Sequence, residues 1–248
     1  MTERPSFGTQ LTSLLSRRSL TAKELAERTG LNAADIRTVL AGRHPTEPHL
    51  RRLAPALGLH TVDLFILAGR PVPPDLAPLD AAAARWAART VTDTAHLPAP
   101  ARRRLLELTR SLPQEERRSP FVLNPPGPLP DTPGAKAVTM LRHRNLTWTG
   151  MARALACVTP TYLSASTYGI IADNRKDLTP RLVTDFAALL AVDPRELALF
   201  TDVSLDEVPQ PPSPVVADVA LLLWEMRRLS AGQARRVCDV GHSLLSSR

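Results

Sequence analysis

The clearest pattern of hydrophobic and polar positions lies in Thr21 to Gly42, TAKELAERTGLNAADIRTVLAG. Apolar residues recur there at helical spacing on both sides of a short turn, Thr29-Gly30-Leu31. Thr21 followed by Glu24 forms a capping box, which marks the start of the first helix. The glycine of the turn suits the left-handed conformation that ends this helix, and Asn32 caps the next one. The stretch therefore predicts two short helices joined by a tight turn, the layout of a helix-turn-helix.

Further helices are predicted on both sides of this motif. Residues 6–17 form the first, the loop 43–48 follows the motif, and the last spans Val62 to Ala68. A fourth helix, between this loop and Val62, is marked by Leu50, Leu53, Ala54 and Leu57. Pro55 predicts a kink or a broken last turn in it. In order and spacing, Gly8 to Gly69 resembles the lambda Cro/repressor-type (xenobiotic-response-element) helix-turn-helix domain. The resemblance implies a bundle of about five helices whose third lies in the DNA major groove.

Clusters of proline divide the remainder of the chain, which has 24 prolines in all. A helical hairpin is predicted between two of these clusters, with its helices at Asp80 to Val91 and Ala99 to Leu112. The predicted units are a helix-turn-helix domain at 1–70, a linker at 71–79, the hairpin at 80–119, a linker at 120–133, a second helix-turn-helix domain at 134–208 and a C-terminal hairpin at 209–248.

An internal repeat supports this division. The segment Leu182 to Phe200 resembles His49 to Leu67 at an offset of 133 residues. Residues 235–240 likewise match 103–108 at an offset of 132. The predicted fold is therefore all-α, with two tandem Cro/repressor-like bundles, each followed by a helical hairpin and joined by proline-rich linkers.

The second helix-turn-helix is predicted at Thr147 to Gly169, and it diverges from the first. Its recognition segment would begin at Thr159, a cap followed by a proline. The turn before it, Ala156-Cys157-Val158, lacks glycine and is predicted to be one residue longer. No Lys or Arg occurs from Ala154 to Asn174, so this copy is predicted to keep the fold with its ligand lost or changed. The candidate DNA contacts of this copy are Thr159, Thr161, Tyr162 and Ser164.

The resemblance also implies which residues of the first motif contact DNA. The base-facing residues would be Asn32, Ala33, Ala34, Arg37 and Thr38, and those on phosphate Thr21, Lys23 and Arg43. Arg37 can bond guanine O6 and N7 as a fork, whereas the alanines can only touch a thymine methyl. Two plainer interpretations remain: Asn32 caps its helix with or without DNA, and Arg37 is a solvated helix residue.

Charge and composition agree with a nucleic-acid ligand without proving it. The formal net charge is +7, which favours polyanions. The two cysteines, Cys157 and Cys238, lack metal-ligand spacing and suit a reducing cytosol, and no secretory signal or membrane span is predicted. Arg102 to Arg104 is predicted to be the solvated face of a helix rather than a DNA surface. The apolar stripe from Val219 to Leu229 is predicted to be core, packed on the other hairpin or on another subunit.

Enzymatic functions find no support in the sequence. The six histidines show no ligand spacing, and no glycine-rich phosphate loop or nucleophile elbow occurs. We therefore predict no cofactor, no metal and no catalysis. The predicted function is sequence-specific binding of double-stranded DNA by a cytoplasmic bacterial transcriptional regulator, a homodimer through its second module and hairpins. The alternatives are a protein-interaction scaffold and a non-specific, chromatin-like DNA binder.

Overall fold

All regular structure is helical in the residues that the computed structural model describes, 5–123, 131–205 and 209–247. This confirms the predicted all-α class. Two short 3-10 helices, Pro74–Leu76 and Ala81–Ala83, lie between the fifth and sixth α-helices. The α-helices are α1 Phe7–Arg17, α2 Ala22–Thr29, α3 Ala33–Leu40, α4 Glu47–Ala56, α5 Thr61–Leu67, α6 Ala84–Ala95, α7 Ala99–Ser111, α8 Pro133–Arg142, α9 Trp148–Val158, α10 Ala165–Ala172, α11 Pro180–Leu190, α12 Pro194–Thr201, α13 Pro214–Met226 and α14 Ala231–Ser246.

The first unit, α1–α5, forms through the local signals of its sequence. The Thr21 hydroxyl accepts from Glu24 N–H at 3.2 Å, and Thr21 N–H donates back to the Glu24 carboxylate at 2.8 Å. Gly30 adopts φ 64° at the end of α2, and Asn32 Oδ1 accepts from Ala34 N–H at 2.8 Å at the start of α3. The predicted caps and turn are therefore confirmed.

Proline shapes both ends of α4. The helix begins at Glu47, inside the segment predicted as a loop, because Pro48 lies in the first turn, where no N–H partner is needed. Pro55 lies in the last turn, and α4 ends at Ala56, immediately after it. Leu57 N–H still donates to Leu53 O at 2.9 Å, so the predicted break of the last turn is not found, and Gly58 follows with φ 57°.

The second unit, α8–α12, has the same number and order of helices, but its recognition segment was placed wrongly. α9 continues to Val158, and α10 begins at Ala165 with Ser164 as its N-cap. Residues 159–164 are a non-helical connection, longer than the predicted turn. Two hydrogen bonds explain its course: Thr159 Oγ1 donates to Leu155 O at 2.8 Å, and Thr161 Oγ1 donates to Asp185 of α11 at 2.5 Å.

The two hairpins, α6–α7 and α13–α14, pack crosswise, α6 against α14 and α7 against α13. Arg102 is buried there, 7% exposed, and donates to Asp218 at 2.7 Å and to Leu97 O at 2.7 Å. Its predicted place on a solvated face was wrong, since its partner lies on a helix more than a hundred residues away. Arg103 and Arg104 are exposed, as predicted. The apolar stripe of α13 is buried and packs on the first hairpin.

The first helix of each unit contacts the last helix of the other, α1 with α12 and α8 with α5. Arg18, just after α1, donates to Glu196 at 2.6 Å and to Leu57 O at 2.6 Å. Arg144, just after α8, donates to Asp63 and to Leu190 O. The buried apolar residues of both units and both hairpins form one continuous core.

Candidate nucleic-acid interface

The exposed face of α3 carries the residues that were predicted to meet bases. Ile36 and Val39 are buried and fix the opposite face of the helix against the core. Asn32, Ala34, Arg37 and Thr38 are exposed together, and Ala33 is partly buried. The structure therefore brings the five predicted residues to one end and side of a short helix.

Close packing fixes the position of α3. A Cβ on Gly8 of α1 would lie 2.4 Å from Val39 O and 2.8 Å from Leu40 O, so only glycine allows α1 to approach this closely. Arg52 of α4 donates to Gly30 O at 3.2 Å and holds the turn from the other side. The role of Arg52 could not be predicted from the sequence, because it depends on how α4 crosses the motif, which no local pattern encodes.

Arg37 is free to contact a ligand. Its side chain is exposed, and within the described residues no carboxylate lies in ion-pair distance of it. Thr38 donates its hydroxyl proton to Asp35 O at 2.7 Å, so its oxygen faces a ligand mainly as an acceptor. Of the predicted base-facing residues, Arg37 thus has the donors that guanine requires.

The predicted phosphate contacts differ in their availability. Lys23 and Arg43 are exposed on either side of α3 in the chain, and neither forms an ion pair within the ranges described. Thr21 instead donates through both its N–H and its hydroxyl to the Glu24 carboxylate, at 2.8 and 2.7 Å. These hydrogen bonds lower the pKa of Glu24, the backbone bond contributing most. A phosphate at Thr21 must therefore compete with a bound carboxylate.

The corresponding region of the second unit has another chemistry. Thr161 is buried, whereas Tyr162 is 89% exposed in the 159–164 connection. The Ser164 hydroxyl lies 2.9 Å from that of Ser166, and the Thr159 hydroxyl is occupied by Leu155 O. Tyr168 of α10 is fully buried beside Phe186, and burial raises its pKa to about 12. Of the four candidate residues, only Tyr162 and Ser164 are exposed.

Comparison with known proteins finds a similarity for the first unit. A family described as "Helix-turn-helix domain" matches residues 6–65, which comprise α1 to most of α5. No curated protein and no solved structure matches the chain. Residues 6–65 are thus similar to a helix-turn-helix domain, and this similarity supports DNA binding by the first unit. Among the described helices, none combines the length and apolar character needed to cross a bilayer.

Proposed function

We propose that this protein is a transcriptional regulator that binds specific double-stranded DNA sequences with α3 in the major groove. The observation that carries the proposal is the exposed, unpaired guanidinium of Arg37 on the outer face of the second motif helix, within the matched residues. Its site of action would be cytoplasmic, on chromosomal DNA.

Direct base recognition is concentrated in one side chain. Arg37 has the planar fork that bonds guanine O6 and N7, a contact worth about 1–3 kcal/mol of discrimination. Ala33 and Ala34 offer only methyl groups, which fit against a thymine methyl or leave space. We therefore expect a short motif containing guanine, with DNA shape contributing to the choice of site.

Backbone contacts would fix the docking register. Lys23 and Arg43 lie exposed beside the two helices of the motif, where ammonium and guanidinium groups can neutralise phosphates on either side of the groove. Each such contact adds to affinity without adding sequence information, and each should contribute about one unit to the salt dependence of binding.

The second unit is proposed to be a divergent copy of the first, so that the chain resembles a dimer within itself. The support is reciprocal contact: Arg18 reaches from the first unit to Glu196, and Arg144 reaches from the second to Asp63. In an isologous interface residue i meets j and j meets i, which is the pattern here within one chain. The homodimer expected from the sequence would then need surfaces other than α1, α5, α8 and α12.

A selection of random duplexes by the full chain, followed by titration across a salt series, tests the proposal. We expect an enriched motif that Arg37→Ala weakens by about tenfold or more, while Arg103→Ala, which removes an exposed charge from α7, leaves binding unchanged. Steep salt dependence without any motif would favour the non-specific binder instead. Failure to bind any duplex at low salt would favour the protein-interaction scaffold.

A further inference from the structure

α3 and α10 occupy equivalent places in the two units, yet they carry different chemistry. Both have eight residues, and each follows a side chain at its N-cap position, Asn32 or Ser164. Arg37 is the fifth residue of α3, and Gly169 is the fifth residue of α10. A Cβ on Gly169 would meet nothing within 4 Å, so the position faces open space. Where the first unit has its base-reading cation, the second unit has no side chain.

The segments that follow these helices are alike. Arg43 comes after Gly42 with φ 101°, and its N–H donates to Thr38 O at 3.0 Å. Arg175 comes after Asn174 with φ 56°, and its N–H donates to Ile170 O at 2.9 Å. The same turn thus places an exposed arginine at the end of each helix. The second unit keeps the predicted phosphate contact although it has lost the base contact.

The cations at the end of α10 are open to competition by phosphate. Arg175 pairs with Asp173 at 2.9 Å, but both side chains are about two-thirds exposed, and such a pair is worth little in water. Lys176 is exposed beside it. Asp173 and Asp177 together offset both positive charges, so the contact should be weaker than a fully basic patch would give.

From this asymmetry we infer that the protein has a single base-reading helix, α3, and that the second unit holds the adjoining stretch of duplex through its phosphates alone, by Arg175 and Lys176. The inference rests on the proposed function and on the reciprocal contacts between the units. The target site should therefore contain one half whose base sequence is specified. The adjoining stretch of duplex must be long enough to reach the second unit, but its base sequence should not affect binding.

The occupant is duplex DNA rather than a protein because the face lacks the features of a protein-binding core. Between α10 and α11 the exposed residues are charged or polar. Around the start of α10 they are Pro160 and the hydroxyl-bearing Tyr162, Ser164 and Ser166, and Tyr162 is the large apolar side chain of this face that is mostly exposed. Hydroxyls and backbone N–H groups contact phosphate without regard to sequence. α10 is also placed in its unit as α3 is in the first, because Gly134 of α8 lies against Ile171 O as Gly8 of α1 lies against Val39 O.

The test combines the selected motif with two double variants of the full chain. Arg175→Ala/Lys176→Ala should weaken every duplex uniformly and lower the slope of log K against log salt by about two, leaving the motif unchanged. Arg103→Ala/Arg104→Ala removes the same two charges from the exposed face of α7 and should change neither quantity. Shortening the duplex on the side of the unspecified stretch should reproduce the loss.

A gain of recognition provides the complementary measurement. Gly169→Arg places a guanidinium at the open fifth position of α10. A selection of random duplexes by this variant should then return the original motif extended by a second half with a specified base sequence. Gly169→Ala, which adds no donor, should return the original motif.

The outcomes separate the inference from the proposed function. A motif with two specified halves for the unaltered chain, or a silent Arg175→Ala/Lys176→Ala variant, overturns the inference while the proposed function stands. Salt-dependent binding without any enriched motif overturns sequence-specific recognition. The change in salt slope caused by Arg175→Ala/Lys176→Ala then shows whether the second unit contacts phosphate. A chain that binds no duplex at all overturns both.

Discussion

Arg144 donates to both carboxylate oxygens of Asp63, at 2.8 and 2.6 Å, and both side chains are fully buried between α8 and α5. The third contact of this guanidinium, to Leu190 O at 3.1 Å, ties the end of α11 to the same point. Trp224 of α13 completes the site, with the Arg144 guanidinium 4.8 Å from its ring and the His60 ring stacked at 3.4 Å. Two units and a hairpin therefore meet at one ion pair.

Removing one partner of this pair should destabilise the whole chain. Asp63→Ala leaves a buried, unpaired guanidinium, and we expect a loss of about 3–5 kcal/mol in the free energy of unfolding. The equivalent change in the other contact, Glu196→Ala, should cost markedly less, because the Arg18 side chain is 26% exposed and can be hydrated. Urea unfolding of both variants provides the comparison. Equal losses of unfolding free energy in the two variants would mean that burial of the ion pair does not determine how much stability is lost.

Stability should fall as the solution becomes acidic, because buried His143 and half-buried His60 are neutral in the folded chain. Burial, and then the Arg144 charge, lower the pKa of His60 to about 4. Burial, and then the Arg227 charge, lower the pKa of His143 to about 3. The unfolded chain titrates near 6.5 and so binds more protons between these values. The stabilisation is complete above about pH 6.5 and is lost as the pH falls towards 4 and 3.

The measurement is the free energy of unfolding between pH 7.5 and 4.5. At pH 5 each histidine should have removed up to about 2 kcal/mol. His143→Gln should flatten the profile, whereas His96→Gln, at an exposed position, should leave its shape unchanged. A wild-type profile that is flat between pH 7 and 5 would contradict the assignment of these groups.

Gly8 sets the distance between α1 and α3, and Gly134 sets the distance between α8 and α10. A Cβ on Gly134 would lie 2.3 Å from Ile171 O, as one on Gly8 would lie 2.4 Å from Val39 O. Gly8→Ala and Gly134→Ala should therefore force the helices apart and lower stability by about 1–3 kcal/mol. Gly169→Ala meets no atom and should stabilise α10 by about 0.5–1 kcal/mol. Thermal unfolding of the three variants distinguishes steric cost from helix propensity.

Much of the fold could be predicted because its signals are local. The capping box at Thr21, the αL glycine at position 30 and the cap at Asn32 each act within a few residues, and the structure contains all three. The capping box of Ser230 and Gln233, at the start of α14, was equally visible in the sequence. Helices defined in this way were found close to their predicted bounds.

The errors arose where long-range contacts override local preference. Thr159 and Pro160 form a good helix start in isolation, yet the bond from Thr161 to Asp185 holds the segment in an extended course. Arg102 lies in a run of arginines typical of a solvated face, but Asp218 and Leu97 O are available to it only in the folded chain.

The Thr161 hydroxyl should be needed to hold the connection between α9 and α10. It is the hydrogen-bond donor to the buried Asp185 carboxylate, whose other neighbour, Arg181, lies 4.0 Å away with 64% of its side chain exposed. Thr161→Val keeps the shape and removes the donor, so a buried carboxylate loses its partner at a cost of about 1–3 kcal/mol. Hydrogen exchange should accelerate over 159–164 while α2 and α3 stay protected. Arg153→Ala, at an exposed position of α9, is the control. Unchanged hydrogen exchange in Thr161→Val would mean that packing alone fixes the connection. The start of α10 at Ala165 would then be set by the apolar contacts of Leu163 rather than by this hydrogen bond.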